Sequence, residues 1–268
     1  MKNEAIGIFD SGLGGLTAVK QMLEILPNEN IIYFGDTGRV PYGNKSRDTI
    51  IKYAMQDARF LKHMGVKMIV AACGTVSSVA PDLSDTLGVM YSTVVHPTCY
   101  TAMKITKSGK IGVIGTSATI SSHSYKKRIQ QKHPEYRVFE QDCPLFVPLV
   151  ENGFTDENDE IVRLTVKRYL KPLKDAGVDT IILGCTHYPI LSKAIKNEMG
   201  ENVTLIDSGK ETALYTAKIL KEKNLLNDSG SGAKFFVSDT PFNFENIAGL
   251  FLGRDMHNQV TQIDIEQY

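Results

Sequence analysis

Two cysteines occupy equivalent positions in a sequence that the 268-residue chain carries twice. Residues 61–75 (LKHMGVKMIVAACGT) align without a gap with residues 173–187 (LKDAGVDTIILGCTH), which places Cys73 opposite Cys185. Each copy has the pattern of a helix end, a glycine turn, a short buried strand and a cysteine where the strand stops. Two thiols held at equivalent strand ends could exchange protons on the two faces of one carbon atom.

Polar side chains follow the predicted strands at the points where those strands end. They carry carboxylate, hydroxyl and imidazole groups, and they are Asp10, Ser11, Asp36, Thr75, Thr186 and His187. In open α/β sheets, ligands bind at the carboxyl ends of the strands. The adjacent helix N-termini offer free backbone N–H groups that favour anions. The pattern therefore predicts a site for a small molecule that carries a carboxylate.

Stereoinversion would place different demands on the two thiols. One cysteine must be a thiolate that removes the α-proton, while the other must be a thiol that returns a proton from the opposite face. A free cysteine has a pKa of about 8.5, and a helix N-terminus or a nearby cation lowers it. His187 lies two residues after Cys185 and could exchange protons with that thiol. Asp10 could serve Cys73 in the same way.

Simpler interpretations exist for several of these residues. Cys99 and Cys143 lie outside the repeated sequence, and we interpret both as small buried hydrophobic residues. His187 alone could be a core histidine, and Asp36 alone could cap a helix or a turn. The glycine-rich residues 12–15 do not have the G-x-G-x-x-G spacing of a dinucleotide site. They predict a tight turn from a strand into a helix.

Short apolar runs alternate with amphipathic segments along the whole chain. The predicted strands are 5–9, 31–34, 68–72, 89–95, 111–114, 137–139, 180–183, 203–206 and 235–237. Residues 16–26 have the spacing of an amphipathic helix that Pro27 ends. Gly65, Gly177 and Gly200 stand where helix C-termini favour a left-handed residue. This alternation predicts parallel sheets covered by helices.

The fold class that we predict is α/β, with two pseudo-symmetric domains and an active site in the cleft between them. Each domain should be a mostly parallel sheet flanked by helices. A second, weaker repeat supports duplication, since residues 6–11 (IGIFDS) resemble residues 111–116 (IGVIGT). We expect the first domain to comprise residues 1–95 plus 209–268, because the trailing segment most simply returns to the start of the chain. Residues 96–208 would form the second domain.

The composition excludes several classes of function. Lysine plus arginine and aspartate plus glutamate number 30 each, so no basic excess favours nucleic acid or a membrane surface. No apolar run is long enough to span a bilayer, and no signal-peptide pattern opens the chain. The four cysteines have neither metal-site spacing nor the density of a disulfide framework. We therefore expect a cytoplasmic protein without a metal site.

Four segments resemble signature sequences of glutamate racemase. They are residues 9–17 (FDSGLGGLT), 33–43 (YFGDTGRVPYG), 143–151 (CPLFVPLVE) and 183–189 (LGCTHYP). The resemblance extends over nearly the whole chain, from the first strand to residues 251–253 (FLG). It implies an enzyme that interconverts L- and D-glutamate without pyridoxal phosphate or metal. It also implies that the enzyme supplies D-glutamate for peptidoglycan, and we expect a homodimer.

The resemblance also implies roles for individual residues. Cys73 would act on the D-enantiomer and Cys185 on the L-enantiomer, with Asp10 and His187 assisting. Asp36 and Glu151 match the family's supporting acids. Contacts to the substrate would come from Asp10, Ser11, Tyr42, Gly43, the backbone of Gly74, Thr75, Thr186 and His187.

The chain departs from the family's pattern at two places. Many relatives have asparagine after the first cysteine, where this chain has Gly74, so only a backbone N–H can serve the substrate there. Residues 95–98 (VHPT) replace a Glu-Pro pair of many relatives. No segment resembles the N-terminal extension of relatives that need a cell-wall precursor as activator, so we expect activity without one.

Two other functions remain compatible with the sequence. A related cofactor-independent racemase acting on aspartate or another acid would keep both cysteines. A non-catalytic two-domain protein that binds a carboxylate, or regulates another macromolecule, would need neither thiol. Assays on each amino acid separate the first alternative, and insensitivity to thiol alkylation would favour the second.

Overall fold

The computed structural model describes residues 2–80, 83–230 and 232–268. The strands in these ranges are β1 Ile6–Asp10, β2 Asn30–Gly35, β3 Met68–Ala71, β4 Met90–Thr93, β5 Lys110–Gly115, β6 Arg137–Asp142, β7 Thr180–Leu183, β8 Thr204–Asp207, β9 Gly232–Val237 and β10 Val260–Gln262. The helices are α1 Leu16–Ile25, α2 Arg47–His63, α3 Gly74–Val79, α4 Ser84–Leu87, α5 Val95–Ile105, α6 Ser117–Ser122, α7 Ser124–Lys132, α8 Phe146–Glu151, α9 Glu160–Ala176, α10 Ser192–Met199, α11 Ser208–Glu222 and α12 Pro241–Leu252. Short 3₁₀ turns lie at Thr37–Arg39, Tyr42–Asn44, Tyr188–Leu191 and Ile265–Gln267.

The strands form two parallel sheets. One sheet has the order β10-β9-β2-β1-β3-β4, and the other has the order β6-β5-β7-β8. All the described pairings between neighbouring strands are parallel. The run β2-β1-β3-β4 in the first sheet has the same arrangement as the entire second sheet. This confirms the predicted α/β class with two related sheets, in which β3 and β7 hold equivalent places.

Every predicted strand is present, although several boundaries differ. Predicted strand 89–95 ends at Thr93, and Val95 begins α5 instead. Predicted strand 137–139 continues to Asp142 because the chain stays paired with β5 along its whole length. Strand β10 was not predicted, since three residues of mixed polarity (VTQ) at a sheet edge carry almost no periodic signal.

The helix before β7 shows how local sequence positions the second thiol. The carboxylate of Asp159 accepts hydrogen bonds from the backbone N–H groups of Ile161 (2.8 Å) and Val162 (3.2 Å), which caps the N-terminus of α9. The helix ends at Gly177, whose φ of +68° favours glycine. Gly65 and Gly200 also have positive φ, as predicted. The buried face of α9 is apolar and consists of Val162, Val166, Leu170 and Leu173.

Helix α1 matches its prediction closely, since it covers Leu16–Ile25 and Leu26 caps its C-terminus. It packs against α11, and α11 also packs against α5. Helices that follow strands of both sheets therefore pack against one another. None of the helices formed by the described residues is long and apolar enough to cross a lipid bilayer.

Candidate active site

The two cysteines of the repeat lie at equivalent strand ends and are almost fully buried. Cys73 follows β3 and precedes the first turn of α3, while Cys185 follows β7. Their exposed fractions are 4% and 6%. The two strand ends approach each other closely, because a Cβ built on Gly74 would lie only 2.1 Å from the backbone oxygen of Gly184. The absence of a side chain at Gly74 permits this contact.

Cys73 has a hydroxyl and a carboxylate as its polar surroundings. Its Sγ donates to the Oγ of Ser11 across 3.6 Å. Burial and the negative charge of Asp10 raise the pKa of the Cys73 thiol to about 12. The hydrogen bonds that the backbone N–H of Val76 and the hydroxyl of Ser11 can donate to the thiolate form act in the opposite direction. The thiol is therefore the resting form in this closed arrangement.

Asp10 ends β1 and has no exposed surface. Its carboxylate accepts hydrogen bonds from the backbone N–H of Gly12 (3.0 Å) and the hydroxyl of Thr186 (3.4 Å). Burial raises the pKa of Asp10, while the positive charge of His187 and the N–H groups of Gly15 and Gly12 oppose that rise. Asp10 thus links the first half of the chain to the segment that carries Cys185.

Cys185 has a histidine and a glutamate in series beside it. The Nδ1 of His187 lies 3.9 Å from the Sγ of Cys185, and its Nε2 lies 3.0 Å from the Oε1 of Glu151. Burial lowers the pKa of His187, but its hydrogen bonds with Cys185 and Glu151 outweigh burial and raise it to about 10. Phe251 meets the imidazole ring edge to face, with ring centroids 6.2 Å apart. The arrangement can carry a proton between the thiol and the surface, where Glu151 is partly exposed.

Thr75 was predicted as a site residue, but Thr116, which contacts it, was not. The hydroxyl of Thr75 lies 3.0 Å from that of Thr116, which also caps α6 by accepting from the N–H of Thr119. Thr116 was missed as a site residue. The weaker repeat contains the signal that could have found it, because Thr116 aligns with Ser11.

Asp36 lies in a different network from the thiols. Its carboxylate accepts hydrogen bonds from Arg39 Nε (2.7 Å), Ser238 Oγ (2.7 Å) and the hydroxyl of Tyr42. Arg39 and Tyr42 also bind the buried carboxylate of Asp57. The contacts described for the Asp36 carboxylate are with Arg39, Ser238 and Tyr42 and not with either cysteine, so a role as a supporting acid stays a prediction. The Tyr42 hydroxyl is likewise committed to the two carboxylates, which leaves its backbone for a ligand.

The glycine-rich turn brings the backbone against the site. A Cβ on Gly14 would lie 2.2 Å from the Oγ1 of Thr186 and 2.5 Å from the Nδ1 of His187. A Cβ on Gly43 would lie 3.0 Å from the Cβ of Thr116, so the 3₁₀ turn at Tyr42–Asn44 also reaches the second half. Residues 12–15 lie between the end of β1 at Asp10 and the start of α1 at Leu16, so they form the predicted strand-to-helix turn.

A cavity of about 500 Å³ lies beside the histidine side of the site. Its walls come from the glycine-rich turn, the Thr37–Val40 loop, the end of α8 and α12, and include Gly12, Leu13, Val40, Glu151 and Phe244. This volume suits a small ligand or the approach to a closed cleft. Cys99 and Cys143 are fully buried among apolar residues, as interpreted from the sequence.

Similar proteins agree with this architecture. The model of the Asp/Glu/Hydantoin racemase family matches residues 19–216. A glutamate racemase of Geobacter metallireducens is 46% identical over 266 residues, which cover 98% of this chain and 97% of that protein. A glutamate racemase of Francisella tularensis, solved in complex with D-glutamate, has 39% identity and a TM-score of 0.92, with 100% of both chains covered. A glutamate racemase of Bacillus anthracis has 39% identity and a TM-score of 0.94, with 98% of both chains covered.

A fold of two parallel sheets flanked by helices is the architecture that these proteins share with the chain. The chain belongs to the Asp/Glu/Hydantoin racemase family. It is an amino-acid racemase.

Proposed function

We propose that this racemase interconverts L- and D-glutamate by a two-base mechanism at the α-carbon. The observation that carries the proposal is the pair of buried thiols at equivalent ends of β3 and β7, two strand ends that approach each other at Gly74 and Gly184. The similarity to glutamate racemases over almost the full chain supports glutamate as the substrate. The product would supply D-glutamate for peptidoglycan.

Each cysteine would act on one enantiomer. The Cys73 thiolate would remove the α-proton of D-glutamate, and the Cys185 thiol would return a proton to the opposite face, which gives L-glutamate. The reverse reaction begins with a Cys185 thiolate and a Cys73 thiol. One C–H bond breaks and one forms, so the substrate gains and loses a single proton.

The assisting groups would differ between the two sides. His187 is positioned to take the proton from Cys185, and its protonated form would stabilise the thiolate. Glu151 holds the other nitrogen of the imidazole and favours its charged form. On the opposite side, Ser11 contacts the Cys73 thiol and Asp10 lies close enough to change its pKa.

Removing an α-proton without an electron sink requires strong stabilisation of the charge that develops on the carboxylate. Hydroxyls and backbone N–H groups that are already oriented in a dry cleft provide such stabilisation. We assign this role to Ser11, Thr75, Thr186 and the backbone at Tyr42–Gly43 and Gly74. The buried hydroxyls of Thr75 and Thr186 supply two of these donors.

We assign Asp36 a positioning role. Its ion pair with Arg39 and its bond from Tyr42 hold the segment that leads into the turn at Tyr42–Asn44. Replacing Asp36 would therefore move the backbone of Gly43 and leave the thiols themselves in place.

We place the domain boundaries as the sequence indicates, with residues 1–95 plus 209–268 in one domain and 96–208 in the other. The division of strands between the two sheets supports this assignment. A homodimer in the cytoplasm remains our expectation.

A circular-dichroism assay with each enantiomer of glutamate and aspartate tests the proposal. We expect racemisation of both glutamate enantiomers and little of aspartate. Racemisation of aspartate alone would favour the related acid racemase. A protein that binds glutamate, leaves it unchanged and tolerates thiol alkylation would be a carboxylate-binding protein instead.

A further inference from the structure

A buried tyrosine that no assignment above includes stands beside the candidate site. Tyr125 is the second residue of α7, and its side chain is only 1% exposed. Its hydroxyl has no hydrogen-bond partner among the described residues. A hydroxyl that loses water without gaining a partner destabilises the folded protein. Such a group in a native fold calls for an explanation.

The other fully buried tyrosines of comparable size are all satisfied. Tyr33 donates to the backbone oxygen of Gly12 (2.7 Å), and Tyr188 donates to that of Cys143 (2.9 Å). Tyr42 is bound to Asp36 and Asp57. The fold therefore supplies acceptors for buried phenols near the site, and Tyr125 is the exception among these four.

The position of Tyr125 relates it to both cysteines. A Cβ built on Gly184 would lie 3.4 Å from the Cε2 and 3.6 Å from the Cζ of Tyr125, so the ring edge packs against the residue before Cys185. Burial raises the pKa of Tyr125, and a negative charge on Cys99, Cys185 or Cys73 raises it further. The phenol consequently stays protonated beside the site and can act only as a neutral hydrogen-bond donor or acceptor.

We propose that the Tyr125 hydroxyl is a further substrate-binding group, which donates to the carboxylate of the substrate when the cleft is filled. This inference rests on the proposed function, which places a carboxylate between the thiols. The opposite wall at Gly74 has no side chain that could donate there. A ligand would then complete the hydrogen bond that the described residues leave unmade at Tyr125.

The test is the variant Tyr125→Phe, which keeps the ring and removes only the hydroxyl. We expect kcat/KM to fall about tenfold to a hundredfold for both enantiomers, as for loss of a bond to a charged group. The unliganded variant should have a Tm equal to or above that of the wild type, because an unsatisfied group has been removed. The rise in Tm that D-glutamate produces should shrink, since ligand stabilisation follows affinity.

Thr216→Val is the matched control. The hydroxyl of Thr216 on α11 is also buried and has no partner among the described residues. Its removal should leave Tm equal or higher and should leave kcat/KM and the ligand-induced Tm shift unchanged. Each variant therefore removes one buried hydroxyl that has no partner among the described residues. Tyr125→Phe removes it at the proposed substrate site, and Thr216→Val removes it on α11.

Two outcomes would overturn the inference about Tyr125. The first is a kcat/KM within twofold of the wild type together with an undiminished Tm shift. The second is a lower Tm of the unliganded variant with an intact ligand shift, which would show that a buried water already satisfies the hydroxyl for structural purposes. Neither outcome affects the proposed function, which fails only if the wild type does not racemise glutamate.

Discussion

The surroundings of the two cysteines differ although their places in the fold are equivalent. Cys73 faces the hydroxyl of Ser11 and the charge of Asp10, and Asp10 has no exposed surface. Cys185 faces His187, which contacts Glu151, a residue whose side chain is 35% exposed. One thiol therefore has a closed polar neighbourhood, while the other has a chain of titratable groups that reaches solvent.

Part of this difference lies at one aligned position of the repeat. Thr75 stands two residues after Cys73, and His187 stands two residues after Cys185. The duplicated strands determine where both thiols lie, but they do not determine how each thiol gains or loses its proton. Function in such a molecule depends on the residues in which the two copies have diverged.

The strongest test of equivalence removes each thiol in turn. We expect Cys73→Ser and Cys185→Ser to lower kcat by about 10³–10⁴-fold, because an alcohol is a far weaker acid than a thiol and general-base catalysis is lost. Circular dichroism follows both directions, and thermal unfolding checks that the fold is intact. Two-way racemisation within about tenfold of the wild type by either variant would exclude the two-thiol mechanism.

The assisting residues should break the symmetry in opposite directions. We expect His187→Asn to lower kcat by about 10²-fold, more from L to D than from D to L, and Asp10→Asn to have the reverse preference. Enantiomers have equal free energies in water, so KM must change with kcat to keep the ratio of the two kcat/KM values at one. Full progress curves from each enantiomer measure all four constants. Equal losses of kcat in both directions for both variants would contradict separate assistants.

The contact between the two strand ends can be tested at Gly74. A methyl group there would meet the oxygen of Gly184, so Gly74→Ala should lower the free energy of unfolding by about 1–3 kcal/mol and, by displacing the strand end, should lower kcat/KM. Gly74→Asn should change kcat/KM in the same direction. Gly232→Ala is the control, because no described atom lies within 4 Å of its added Cβ. A lower KM for glutamate with unchanged kcat in Gly74→Asn would show that the site lacks a side-chain ligand and has room for it.

Glu151→Gln should change the surroundings of Cys185 and leave those of Cys73 as they are. The bond to Glu151 helps to raise the pKa of His187 to about 10, so its loss should shift the alkaline limb of the rate profile to lower pH. Above that pKa His187 has no proton to pass to Cys185. We expect kcat to fall about tenfold at neutral pH. Glu222→Gln, which changes an exposed acid on α11, is the control and should change neither kcat nor the alkaline limb. An unchanged alkaline limb in Glu151→Gln would contradict the proposed effect of Glu151 on the pKa of His187.

The smallest expected effect is on stability. The folded pKa of His187, about 10, lies above its ordinary value of 6.5. Protonation of His187 therefore stabilises the fold fully below pH 6.5, and this contribution is lost as the pH rises through about 10. Urea unfolding across this range should show a steeper loss in the wild type than in His187→Asn. Parallel curves would mean that His187 is not charged in the folded protein.

Much of the fold could be predicted because its signals are local. Short apolar runs, the glycines after helices and the repeat around Cys73 and Cys185 are visible in consecutive residues, and they indicate the strands, the sheet class and the paired thiols. Strand β10 escaped because three residues carry too little periodicity. The extension of β6 to Asp142 came from pairing with β5, which is a property of the neighbour strand.

The sequence by itself determined that two thiols end two equivalent strands, since repetition needs no knowledge of distance. Only the tertiary structure decided which groups contact the predicted assistants His187 and Asp10, because those contacts join residues far apart in the chain. Glu151 meets His187 across 36 positions, and Thr186 meets Asp10 across 176. The same holds for Asp36, since folding brings Ser238 to its carboxylate from 202 positions away. Folding likewise leaves the Tyr125 hydroxyl without a partner among the described residues, and such an absence is visible only once the surrounding residues have been packed.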